Sequence, residues 1–127
     1  MIDYNLVDPD IISALESLGA VKAKTIIQCG YQENTDDDVL INEGTVEYRR
    51  ILLTGDKKTI TKKKYKPCKH GGVIVIKHPR PDAEKVFAWM KAFIQSGKRA
   101  FAVNHFTHLR PDGATIYTHK EPVEVRF

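Results

Sequence analysis

Gly72-Val73-Ile74-Val75-Ile76 is the stretch on which the fold turns. After its glycine it is apolar at every position, without the alternation of a strand that faces water on one side. A strand covered on both faces reads this way, and it belongs to a largely parallel sheet with helices on either side. Downstream, Asp82 to Ser96 predicts the longest helix. Ala83, Val86, Phe87, Met90, Phe93 and Ile94 form one apolar stripe there, and Gly97 ends it. Upstream, Arg50-Ile51-Leu52-Leu53-Thr54 is a second compact apolar strand, closed by Gly55-Asp56.

Nearer the start, Asp8 is placed to cap a helix with Pro9 at its first position. Ile11, Ile12, Leu15 and Leu18 then share one face, and Gly19 supplies the stop. Thr25-Ile26-Ile27-Gln28-Cys29 reads as a short β-branched strand ending at Gly30. Thr35 is the expected cap of a second helix. Asp36, Asp37 and Asp38 occupy its first turn, where the helix dipole favours negative charge. That helix carries Val39, Leu40 and Ile41, is interrupted at Gly44 and resumes through Tyr48. At the other end, Ala100–Leu109 and Thr115–Phe127 read as strands flanking Arg110-Pro111-Asp112-Gly113, a strong turn signal.

The order is helix, strand, helix, strand, loop, strand, helix, hairpin. It predicts a single α/β domain over residues 1–127, with an α/β core over 1–97 and a C-terminal antiparallel β-hairpin extension over 98–127. The chain of 127 residues is 42% hydrophobic, enough for one core. No run approaches the roughly 18 apolar residues of a membrane helix. Asp3, Asp8 and Asp10 stand where a signal peptide would carry positive charge and then an apolar run. Cys29 and Cys68 make no disulfide framework, so the expectation is a soluble cytoplasmic protein with free thiols and no membrane partner.

Chemistry in open α/β sheets gathers at the carboxyl ends of the strands. Asp56 stands there, with Thr54 or the Gly55 backbone to support it; its other reading is a turn cap. The Asp36-Asp37-Asp38 run and Asp3 are the remaining carboxylates near strand ends or helix starts. If they meet Asp56, their oxygens suit a hard divalent cation. Lys57, Lys58, Lys62, Lys63, Lys64, Lys66 and Lys69 follow Asp56 with no acid among them. Such a run attracts a nucleic-acid backbone, and Tyr65 is placed to stack on a base. A solvated loop without a partner is the alternative, and the net charge of +4 is compatible with both.

Cys68, His70 and His78 lack the second close pair that a structural zinc site needs. His105, His108 and His119 fall on predicted strands, where neighbours three apart point to opposite faces. Trp89 and Phe93 read as core or dimer contact. The hairpin, with Phe101, Phe106, Tyr117 and Phe127, reads as an edge extension or as a pairing surface for another chain, including a second copy.

Taken in order, several segments resemble the PIN-like families, small metal-dependent nuclease domains of the toxin-ribonuclease type. They are Ile2-Asp3-Tyr4-Asn5-Leu6, the helix ending Leu18-Gly19, Thr35-Asp36-Asp37-Asp38-Val39-Leu40, Ile51-Leu52-Leu53-Thr54-Gly55-Asp56, and Gly72 to Ile76 with its following helix. The resemblance covers residues 1–97. It implies a PIN-like three-layer sandwich with a mostly parallel sheet and helices on both faces. It also implies Asp3, Asp36 and Asp56 as catalytic metal ligands for Mg²⁺ or Mn²⁺, with Asp37 or Asp38 in place of Asp36 as alternatives. The activity implied is hydrolysis of RNA phosphodiester bonds, as the toxin of a toxin–antitoxin pair with an antitoxin protein as partner. Two positions depart from the pattern: Lys58 stands where related sequences carry a second acid, and only two residues precede Asp3. These departures point to the alternative, a non-catalytic module that binds nucleic acid or protein through the lysine loop or the hairpin. No GxGxxG or GxxxxGK[ST] run supports a nucleotide-binding enzyme.

Overall fold

Strands β1 (Ile51–Thr54), β2 (Gly72–Ile76), β3 (Phe106–Arg110), β4 (Gly113–Tyr117) and β5 (Val123–Arg126) lie side by side in chain order as one five-stranded sheet. The computed structural model describes residues 1–3, 6, 8, 10–19, 23–36, 39–47, 50–55, 71–76, 78, 82–98, 102–118 and 120–127. β1 pairs with β2 and β2 with β3 in parallel, whereas β3–β4 and β4–β5 are antiparallel. The α/β class is as expected from the sequence, but the named strands form a mixed sheet rather than a mostly parallel one.

The segment after residue 98 accounts for the difference. It is a three-strand meander, not a peripheral hairpin. Pro111 and Asp112 make the reversal between β3 and β4, as the turn signal predicts. A second reversal interrupts the expected strand Thr115–Phe127. There the Thr118 hydroxyl donates to Glu121 O and accepts from Lys120 N–H. Gly113 to Ile116 are all buried, so β4 belongs to the middle of the sheet.

Helix α1 (Ile11–Ser17) and helix α2 (Ala83–Gln95) pack on one face of the sheet. Ile11, Val86, Trp89 and Phe93 meet Leu53, Ile74, Ile76, Leu109 and Ile116 in the larger core. Full burial of side chains of this size is worth about 1.5–3 kcal/mol each. Trp89 and Phe93 are therefore core residues, and His78 lies edge-on to the indole at 5.6 Å. Asp82 caps α2 by accepting from Lys85 N–H, and Gly97 follows its end at φ +77°, a conformation costly for any other residue. Asp10 rather than the expected Asp8 is the N-cap of α1, and its side chain makes no capping bond. Asp8 instead ties the chain ahead of α1 to the start of α2. One carboxylate oxygen accepts from Asp10 N–H at 2.9 Å and the other from Ala83 N–H at 2.7 Å.

The opposite face is covered by a π-helix, Leu40–Glu47, where an ordinary second helix is expected. Leu40 and Ile41 pack on Leu52, Val73, Val75 and Phe106. Thr35 does not cap it, since its hydroxyl donates to Gln32 O at 2.7 Å. The turn into it is closed by Asp36 O, which accepts from Val39 and Leu40 N–H.

Residues 25–29 also depart from expectation. Thr25 makes a single parallel bridge to Ile2, and the chain then coils through Gly30. Thr25 N–H donates to Gln28 Oε1 while Gln28 N–H donates to Thr25 Oγ1. This reciprocal capping box satisfies two backbone donors locally and outweighs the β propensity of Ile26 and Ile27.

Candidate active site

Met1 to Asp3 lie between residues 24–26 and β1. Ile2 bridges Thr25 and Leu53 in parallel, and the Ile2 and Asp3 N–H groups donate to Lys24 O and Leu53 O, each at 2.8 Å. The pairing delivers Asp3 to the carboxyl end of β1, where Leu6 N–H closes a turn on Asp3 O at 3.1 Å. Asp3 is 8% exposed and Thr54, the last residue of β1, is 0% exposed. The Thr54 hydroxyl donates to Asp3 Oδ2 at 2.7 Å. A carboxylate so deep in the protein requires such a donor, because burying an unpaired charge is costly.

Thr54 also opens a polar row across the sheet. Register places Thr54 beside Val75, Val75 beside His108, His108 beside Thr115, and Thr115 beside Glu124. Paired residues project to the same face, so this row shares the side on which the π-helix packs. Two residues towards the amino ends of the parallel strands, the same face reads Leu52, Val73, Phe106, Tyr117 and is apolar. One face thus changes from apolar to polar along the parallel strands.

Arg110 anchors the far end of this row. Its guanidinium donates to Thr115 Oγ1 and, at 3.2 Å, to Glu124 Oε2, and it lies 3.6 Å from Asp112 Oδ1. The Thr115 hydroxyl in turn donates to Glu124 Oε1 at 2.8 Å. His108 is half-buried, between Val75 and Thr115 in register. Sequence reasoning treated His108 only as a poor zinc ligand and did not single out Arg110, Thr115 or Glu124 as a group. The period-2 alternation Phe106-His108-Arg110 against Thr107-Leu109 is the signal that sets them on one face.

Of the predicted metal ligands, Asp3 is buried at the strand end and Asp36 is exposed at the turn into the π-helix. Asp56 lies outside the described residues, as do Asp37, Asp38, Cys68, Tyr65 and the lysines from Lys57 to Lys69. Among the described residues, no three His, Cys, Asp or Glu side chains converge as a metal-binding group. Asp3 nonetheless has the chemistry of a hard-cation ligand, and the Thr54 hydroxyl fits the role of an outer donor that orients it.

The other side of the sheet carries a cavity of about 350 Å³, lined by Leu15, Leu18, Ile51, Ile74, Phe93 and Val103 among others. Its apolar walls offer nothing to activate a water or hold a phosphate. No helix among the described residues is long and apolar enough to cross a membrane. No protein-family model matches the chain, and no curated protein or solved structure matches it either.

Proposed function

We propose that the chain is a metal-dependent ribonuclease of the PIN-like type. The observation that carries this reading is the buried Asp3–Thr54 hydrogen bond at the carboxyl end of a parallel pair of strands. Helical elements on both faces of the sheet agree with a three-layer sandwich of that type. Asp56 follows Thr54 by two residues, and Asp36 begins a segment that ends near the amino ends of β1 and β2, where Thr45 O accepts from Arg50 N–H. Asp3, Asp36 and Asp56 are the proposed ligands.

When bound, Mg²⁺ or Mn²⁺ would lower the pKa of a water and stabilise charge on the attacked phosphate. The chain's own part is to hold Asp3 in one rotamer through Thr54 and to keep that carboxylate away from bulk water. Lys57 to Lys69 would draw in the RNA backbone, with Tyr65 stacking on a base. An antitoxin protein is the partner that this reading implies.

The test is cleavage of a mixed single-stranded RNA pool with Mg²⁺ or Mn²⁺ by the native chain, Asp3→Asn and Asp56→Asn. Metal-dependent cleavage that both substitutions abolish is the expected result. A folded native chain that binds RNA in a salt-sensitive way without cutting it would replace this reading with the non-catalytic binding module.

A further inference from the structure

β5 is the last strand of the sheet, and among the described residues none pairs with its outer side. We propose that two copies of the chain join there, β5 against β5, into one continuous antiparallel sheet. Glu124 ends the polar row across the sheet, but the pairing uses the outer edge of β5 and the inference does not depend on the ribonuclease reading.

The phase of the strand selects the register. Phe127 N–H donates to Asp112 O, back towards β4. Backbone groups alternate in direction along a strand, so Val123 and Val125 also turn inward, and Glu124 and Arg126 turn outward. Pro122 shares the outward phase but has no N–H, which closes the edge on that side. Two identical strands related by a twofold axis can centre on Glu124, Val125 or Arg126. Centring on Glu124 or Arg126 sets like charges opposite each other, and centring on Glu124 also calls on Pro122. Centring on Val125 sets Glu124 opposite Arg126 of the second copy, twice, with four backbone hydrogen bonds between outward groups.

The side chains agree with this register on both faces. Glu124 and Arg126 lie on the polar face and both are exposed. Glu124 already accepts from Arg110 and Thr115, so Arg126 of the second copy would be a further partner of a carboxylate held in place. Val123, Val125 and Phe127 lie on the other face, where Val125 joins the larger core and Val123 packs against it. Phe127 is 43% exposed, and the same register sets it opposite Val123 of the second copy. Charge on an edge strand commonly prevents pairing. Here the two charges have opposite signs at positions that exchange under the twofold axis, so they favour it.

The test is sedimentation velocity of the full chain from about 10 µM to about 1 mM, the range of modest association. A monomer–dimer equilibrium is expected. Arg126→Glu replaces attraction by repulsion at two symmetric pairs and should weaken the dimer about tenfold or more. Arg126→Pro removes an outward N–H that the fold itself does not use, so it should abolish the dimer while the thermal unfolding midpoint holds. Mixing Arg126→Glu with Glu124→Lys should restore association as a heterodimer, because each altered position then faces an opposite charge. A chain that stays monomeric throughout overturns the proposal. So does a dimer that survives both Arg126 substitutions, or a mixture of the two charge variants that fails to associate.

Discussion

From Gly72 onward the chain supplies four of the five strands and the 13-residue helix α2. Before Gly55 it supplies one four-residue strand, the seven-residue α1 and the π-helix, while its first residues join the sheet through bridges at Ile2. The later region is held by continuous ladders and a deep apolar stripe. The earlier one relies on individual fasteners: the Thr25–Gln28 capping box, the two hydrogen bonds accepted by Asp8 and the Asp3–Thr54 bond. The proposed chemistry belongs to the earlier region, with Asp3 and Thr54 at the end of the strand that pairs with β2. Ladders repeat and so resist local change, whereas a fastener can place one side chain without dictating its neighbours.

If the later region carries more of the stability, Phe93→Ala should have the largest effect, about 4 kcal/mol in urea unfolding, against about 3 kcal/mol for Leu40→Ala beneath the π-helix. An equal or greater loss at Leu40 would break the comparison. Next come two glycines. A Cβ at Gly72 would overlap the backbone oxygen of Ala102, whereas one at Gly44 meets the flexible tip of Met1. Gly72→Ala should therefore cost about 2–3 kcal/mol and Gly44→Ala less than about 1.

Two buried threonines sharpen the contrast between a hydroxyl that fastens and one that does not. Thr54→Val strips a donor from the buried Asp3 and should cost about 1–3 kcal/mol. Thr107 is equally buried, but its hydroxyl has no hydrogen-bond partner among the described residues. Thr107→Val should be neutral or stabilising by up to about 1 kcal/mol. Asp8→Ala should cost about 1 kcal/mol and speed hydrogen exchange at Asp10 and Ala83 together, because one carboxylate serves both amides. Faster exchange at one of them alone would show that the two helix starts are not tied.

The smallest effect concerns Asp82. The hydrogen bonds from Lys85, first through its side chain and then its backbone, hold this carboxyl below its ordinary pKa of 3.8. Its favourable contribution is therefore present above that ordinary value and is lost as the pH falls through the lower folded value. Lys85→Met should raise the Asp82 midpoint in an NMR titration. An unmoved midpoint would mean that the side-chain bond contributes nothing in solution.

Legibility in the sequence follows the same division. α2 and β2 were readable because their periodicities repeat over many residues, and Pro111-Asp112 because turn chemistry is local. Thr25 to Cys29 reads as a strand although Thr25 and Gln28 carry the capping-box spacing, since two isoleucines between them dominate its propensity. The segment from Thr115 reads as one strand because its second reversal carries no glycine signal; it is marked by the Thr118 hydroxyl bonded to the backbone of Lys120 and Glu121. Asp3 was legible as a candidate, but nothing in its neighbourhood along the chain shows that Thr54 would hold it.

What the sequence by itself determined is the set of pieces: β1, β2, α2, the turn at 110–113 and the apolar stripes that bury them. Each depends on residues a few positions apart, within reach of periodicity and turn chemistry. Only the tertiary structure decided which pieces became neighbours. It set Asp3 against Thr54 across 51 positions, and Asp8 against Ala83 across 75. It also aligned Thr54, His108, Thr115 and Glu124 in one row. Register is a property of several strands packed together, and no single strand's sequence contains it.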